Sequence, residues 1–523
     1  MISALLDTAG RRKVTLVAAF QAAFTLDRPG RAISHPAVVV LAFWAILASG
    51  AVSPVCADTN SADSDVKTYT LSPDRNNGQP AHVKVAIEIK GKLKLGTPGK
   101  TSTELPLEVR ADLSYDERVL DAGDTTGTDG TKRRSIRQYD EAQASIVVGK
   151  SNIASRLAPD RRLIVAQTGS DGQILFSPIE PLTREELELL DVPASSLLLT
   201  ALLPESAVKP GDTWKPDSRW LAPILGWDSV SQADITCRFD RVEEDVAYME
   251  MGGTATGAAE GVASDIELRA KYSFDLADKR INWFVLAMKE RRSIGHAEPG
   301  FDVVCRIRLE SETIDQAPSL ADDALVDLPL VSPPGITLLR LEPAVGGVHL
   351  MHDRRWRVTE DSDELAVLRL VDKGDILAQC NLSPLTPLAP GKHLTLEELQ
   401  SDVQRALGKR FAEFVEASQA TTESSLRVLR TVSIGSVENI PIQWVHYHVS
   451  DEKGNRVGLS FTLEAPRVER FAEADQALIQ SIELIPPPPV KATVTDSDKS
   501  STETKTDATD SATRATPPRT QSR

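Results

Sequence analysis

Leu107-Glu-Val-Arg-Ala-Asp-Leu-Ser-Tyr-Asp116 returns about 160 positions later as Ile266-Glu-Leu-Arg-Ala-Lys-Tyr-Ser-Phe-Asp275. In both copies apolar and polar residues alternate, the period of a β-strand with one wet face. Arg133-Arg-Ser-Ile136 downstream has its echo in Arg291-Arg-Ser-Ile294, and Ile87-Glu-Ile-Lys-Gly91 upstream has a looser one in Met249-Glu-Met-Gly-Gly253. Similar alternating runs occur at 229–241, 246–256, 280–294 and 301–314. Their connectors are short, so sequential antiparallel pairing is the economical topology. The expected fold class is α+β and mostly β: an antiparallel half-barrel or sandwich with an internal repeat over 58–315, followed by a second, α/β sandwich domain. The matched letters hold no reactive grouping, so the repeat reads as scaffold.

Between the two copies lies the helical part of this half. Thr183 and Glu186 make a capping box. Ser195-Ser-Leu-Leu-Leu-Thr-Ala-Leu-Leu203 follows, nearly all apolar, and a helix apolar all round is buried on most sides. It reads as a plug in the mouth of the sheet, or as a lid over an apolar ligand formed by Leu197, Leu198, Leu199, Leu202 and Leu203.

The 523 residues suffice for two or three domains, each with its own core. A net charge of -16 argues against a sequence-independent grip on nucleic acid or anionic lipid. Arg133, Arg134 and Arg137 read as solvated sheet positions, because neighbouring strand residues point to opposite faces. Residues 1–57 look like an export signal: Arg11, Arg12, Lys13, Arg28 and Arg31 precede an uncharged run from Ala37 to Val52, and Val55-Cys56-Ala57 offers a cleavage site. The chain would meet a membrane only if that signal stayed uncleaved. Cys237 and Cys305 each sit on the apolar side of an alternating strand. In an oxidising compartment they could join as a disulfide, or remain two buried thiols. Cys380 reads as core.

Leu203-Pro-Glu-Ser-Ala-Val-Lys-Pro-Gly-Asp-Thr-Trp214 resembles a stretch, LP-x-x-x-V-K-x-G-D-x-W, of exported bacterial β-rich proteins. The meander with an inserted apolar helix resembles in shape the LolA and LppX half-barrel, whose members carry lipids or lipoproteins. Residues 316–335, rich in Pro, Ala, Asp and Leu, read as a linker. From 336 to 486 strands surround a helix opened by the box at Thr395 and Glu398 and striped by Leu399, Val403, Leu407, Phe411 and Phe414. Pro441-Ile-Gln-Trp444, Gly454, Arg470-Phe-Ala-Glu-Ala-Asp475, Ile479 and Ser481 resemble the PsbP and DcrB-like α/β/α sandwich. That resemblance implies an exported binding or assembly module and brings no catalytic set. Residues 487–523 are Ser, Thr, Asp and Lys-rich after four consecutive prolines, a composition that reads as disordered.

There is no His-Glu-x-x-His, nucleophile elbow or phosphate loop, and no cofactor is expected. Ser450-Asp-Glu-Lys453 has the letters of a Ser-x-x-Lys pair but sits in a polar hairpin, and Glu360-Asp-Ser-Asp-Glu364 lacks the spacing of a calcium loop. His446 and His448 point the same way from one strand, as two metal-binding imidazoles would. His352 and His393 are the histidines of this domain left to supply a third ligand. Two classes of function follow: an exported, non-catalytic binding or assembly protein of the cell envelope, whose partner is unknown, and a carrier of lipid or another apolar ligand. A metal-dependent hydrolase on His446 and His448 is the third reading. The first two separate on whether residues 58–315 enclose an apolar cavity or a close-packed interior.

Overall fold

The structure, a computed structural model, describes residues 67–73, 78–99, 101–120, 133–169, 172–331 and 335–485. The expected export signal and the C-terminal tail lie outside the described residues. Twelve strands form one antiparallel sheet: β1 (Ala81–Leu95), β2 (Thr103–Leu120), β3 (Arg134–Val148), β4 (Ser151–Arg156), β5 (Leu163–Gly169), β6 (Gly172–Phe176), β7 (Thr213–Trp214), β8 (Ser229–Glu243), β9 (Val246–Ala259), β10 (Val262–Asp275), β11 (Arg280–Arg292) and β12 (Gly300–Thr313). The order across the sheet is β6-β5-β3-β2-β1-β12-β11-β10-β9-β8-β7, with β4 on β3. Its two ends do not meet, so the sheet is open.

The duplication is visible in that order. The triplet β3-β2-β1 is followed, after β12, by β11-β10-β9 with the same strand directions. Leu107, Val109, Ala111, Leu113 and Tyr115 face inward on β2, and Ile266, Leu268, Ala270, Tyr272 and Phe274 take the same places on β10. The downstream echo is different. Arg133-Arg-Ser-Ile136 runs into the start of β3, whereas Arg291-Arg-Ser-Ile294 lies at the end of β11, so those matched letters are not equivalent in space.

Three helices lie over the concave face: α1 (Arg184–Leu190), α2 (Ser196–Leu199), continued by the turn Thr200–Leu202, and α3 (Ser218–Leu225). The Thr183–Glu186 capping box forms at the start of α1 as its letters require. The stretch 316–331 is bound down rather than free. It holds a short α4 (Asp322–Leu325) and buries Leu320 and Leu325 against Ile136, Val165 and Phe176, on the sheet face opposite the helices.

Beyond it β13 (Leu339–Leu341), β14 (Val348–His352) and the last strand, β22 (Glu483–Leu484), make a small sheet. A seven-stranded antiparallel sheet follows: β15 (Trp356–Asp361), β16 (Ala366–Asp372), β17 (Asp375–Pro384), β18 (Phe411–Thr421), β19 (Arg427–Val437), β20 (Ile440–Ser450) and β21 (Arg456–Glu464). One face packs under α5 (Leu396–Leu407) through Leu399, Val403 and Leu407 against Leu429 and Trp444. The other meets α6 (Val468–Phe471) and α7 (Ala474–Gln480) through Phe471, Leu478 and Ile479.

The two sheets are locked into one unit that includes all the described residues. Arg184 donates to the carbonyls of Arg354 and Trp356, and Arg354 reaches back to that of Leu175. Arg357 pairs with Glu260 at 2.6 Å, and the hairpin tips at Gly261 and Gly374 touch backbone to backbone.

Candidate functional site

The five leucines expected as a lid, Leu197, Leu198, Leu199, Leu202 and Leu203, are all buried in the main core. Burying such a side chain contributes roughly 2 kcal/mol. What fastens them is polar. Arg137, 1% exposed, pairs with Glu117 at 2.8 Å and donates to the hydroxyls of Ser195 and Ser196 at 2.9 and 3.2 Å. The Tyr115 hydroxyl meets Ser196 at 3.0 Å, and the Trp214 indole N–H donates to the Leu202 carbonyl at 2.9 Å. Burial alone would raise the Glu117 carboxyl, but Arg137 and the hydroxyls of Ser196 and Ser135 hold it below the usual range. Arg137 was expected in solvent; a β-bulge corrects that. Strands β2 and β3 shift register beside Tyr115, so Asp140 and Glu141 are both exposed and the alternation inverts. Ser135, Arg137 and Tyr139 thereby point into the core.

Cys237 and Cys305 are free and buried on this concave face. Strands β9, β10 and β11 separate them. At the usual strand spacing that puts them roughly 19 Å apart, far beyond the reach of a disulfide. Burial pushes the thiols up to about 11 and about 12, so neither is poised as a nucleophile.

His446 and His448 lie on the α5 face of the second sheet, beside Thr431 and Leu429 of β19. Burial lowers both imidazoles to about 4, so they are neutral at pH 7. Both ring nitrogens of His448 and Nδ1 of His446 are buried without a hydrogen-bond partner, as are the hydroxyls of Thr431, Ser433 and Ser450 on the same face. Among the described residues no cluster of three His, Cys, Asp or Glu donors includes these histidines, His352 or His393.

Such a cluster does form elsewhere, at a place the sequence reading passed over. His82 on β1 stands opposite Asp116 on β2, with Nδ1 2.8 Å from Oδ1. Its Nε2 is 3.1 Å from Ser114 Oγ. The bulge residue Asp140 completes a group whose ligand atoms all lie within 4.8 Å of one another. The order hydroxyl, imidazole, carboxylate is that of a serine-hydrolase relay. Both edges of β2 are taken by β1 and β3, however, so the backbone N–H groups beside Ser114 serve the ladders rather than an oxyanion. His82 also lines a cleft of about 600 Å³ on the outer face, with Lys84, Tyr248, Asp275, Trp283 and Glu310. Trp283 is shared with a second cleft of about 620 Å³ that carries Arg238, Arg269 and Lys271. The register that pairs His82 with Asp116 was the missing signal; the alternation of β1 alone marks His82 as an ordinary strand position.

No protein-family model matches the chain, and no curated protein matches it. Among solved structures, lipovitellin, in a study of its lipid–protein interactions, is 9% identical with a TM-score of 0.27 and covers 50% of this chain and 28% of its own. DynF of the dynemicin biosynthesis pathway of Micromonospora chersina is 8% identical with a TM-score of 0.14, covering 50% of this chain and 94% of its own. OccK5 of Pseudomonas aeruginosa is 8% identical with a TM-score of 0.11, covering 74% and 97%. Likeness this slight assigns neither a fold family nor a function.

Proposed function

We propose that the protein is an exported, non-catalytic binding or assembly protein of the bacterial cell envelope, which meets its partner on the outer face of the twelve-stranded sheet. The observation that carries this reading is the fixed plug. Leu197 to Leu203 fill the concave face and are held by a buried ion pair and hydroxyl bonds, so that face is occupied by the chain itself. The opposite face keeps two adjoining clefts around Trp283, one whose charged residues are mostly carboxylates and the other with Arg238, Arg269 and Lys271 beside Glu250. An aromatic anchor between patches of opposite charge suits a protein surface. The signal-like residues 1–57, and the resemblances to the LolA and LppX half-barrel and to the PsbP and DcrB-like sandwich, fit an envelope protein.

A photoreactive amino acid at Trp283 and, separately, at Leu202 tests this in intact cells. Protein adducts from position 283, with none from 202, are expected. Lipid adducts from position 202, together with lipid mass retained in native mass spectrometry of the purified chain, would replace this reading with the carrier. Silence at both positions would count against both.

A further inference from the structure

We propose that His82, Asp116 and Asp140 form a binding site for a divalent transition-metal ion on the outer face of the large sheet. Three consecutive strands supply the donors, and their ladders fix where each begins. β1 carries His82, β2 carries Asp116, and the bulge in β3 turns Asp140 outward beside them. A bulge is a device for re-aiming a side chain; here it adds the second carboxylate.

The spacing suits one ion. Donors bound at about 2.1 Å to a common cation stand about 3.0–3.5 Å from one another in octahedral or tetrahedral shells. His82 Nδ1 and Asp116 Oδ1 are already 2.8 Å apart, and Asp140 closes within the same 4.8 Å group. Ser114, 3.1 Å from Nε2, holds the far side of the ring and so directs Nδ1 at the carboxylates, the orienting role that partners of metal-bound histidines fill.

Charge favours a cation independently of this spacing. Among the described residues no Lys or Arg lies within ion-pair reach of Asp116 or Asp140, and His82 is the one partner of Asp116. The adjoining cleft presents Asp275, Asp278, Glu310 and Glu312 against the single cation Lys84. One imidazole with two carboxylates is a borderline donor set, which prefers Zn2+, Co2+ or Mn2+ to soft monovalent copper, while the nitrogen discriminates against Mg2+ and Ca2+.

The test is a titration of the purified full chain with Co2+ at pH 7.5, followed by visible absorption, and with Zn2+ by calorimetry. One ion per chain is expected. Asp140 is exposed, so Asp140→Asn keeps the fold, checked by circular dichroism, and weakens binding by about tenfold or more. His82→Ala abolishes it, and His448→Leu leaves it unchanged. Absence of stoichiometric binding overturns the proposal. So does binding that survives both Asp140→Asn and His82→Ala, or binding that disappears in His448→Leu.

Discussion

At His448 the sequence placed an imidazole on a sheet face that folding then sealed. It is 2% exposed with both ring nitrogens unpartnered, a state that costs about 1–3 kcal/mol for each orphaned group. Burial holds His448 and His446 at about 4, against an ordinary value near 6.5. Between those two values the unfolded chain binds more protons than the folded one, so stability rises with pH across the window. The stability is complete above pH 6.5 and is lost as the pH falls toward 4, at most about 3 kcal/mol for each imidazole. Urea unfolding at a series of pH values should therefore show a steep midpoint decline from pH 6.5 to 4. In His448→Leu the decline should be visibly shallower. At pH 7 the same variant should be neutral or gain about 1–2 kcal/mol, since it removes two orphaned nitrogens and sets an apolar side chain opposite Leu429. A loss of stability at pH 7 would mean that the ring is partnered after all.

The element that best measures what sequence can and cannot tell is β3. Strand existence, antiparallel pairing and the duplicated inward positions of β2 and β10 follow from alternation, which is local. The buried apolar stretch Leu197–Leu203 was legible for the same reason, because its composition allows no exposed face. The bulge beside Tyr115 was not, since it depends on how two strands meet. That one slip turned Arg137 from a solvated position into the bolt of the plug, and it also brought Asp140 to His82. The bolt and the Asp140 end of the His82 cluster were thus hidden by a single register shift, and of the two alternatives left for Cys237 and Cys305 strand order selects the buried thiols. The bolt can be tested as a pair. Arg137→Met leaves the Glu117 carboxylate buried beside an apolar chain and should cost about 3–5 kcal/mol in chemical denaturation. Adding Glu117→Gln to it should recover much of that loss, because the stranded charge rather than the missing contact dominates. Equal losses in the single and double variants would show that the arginine acts through packing alone.

At the scale of the whole molecule the question is whether the two sheets unfold together. The contacts between them include Arg184 and Arg354 on opposite carbonyls, Arg357 on Glu260, the parallel bridge of Thr183 to Arg340 and the meeting of two hairpin tips. At the tips the backbones touch because neither residue has a side chain. A Cβ on Gly261 would stand 2.5 Å from the Gly374 Cα, and both glycines have positive φ, 71° and 81°. Gly261→Val therefore carries two penalties, strain at its own φ and a clash that only separation of the tips relieves. Gly391→Val isolates the first, since Gly391 has φ 72° and open space around it. Differential scanning calorimetry of the native chain should give one cooperative transition, and Gly391→Val one transition at slightly lower temperature. Gly261→Val should split it in two, with limited proteolysis now cutting between residues 315 and 336. If Gly261→Val instead matched Gly391→Val in both assays, the other contacts would suffice to hold the sheets together, and the glycine contact would be a consequence of that union rather than one of its causes.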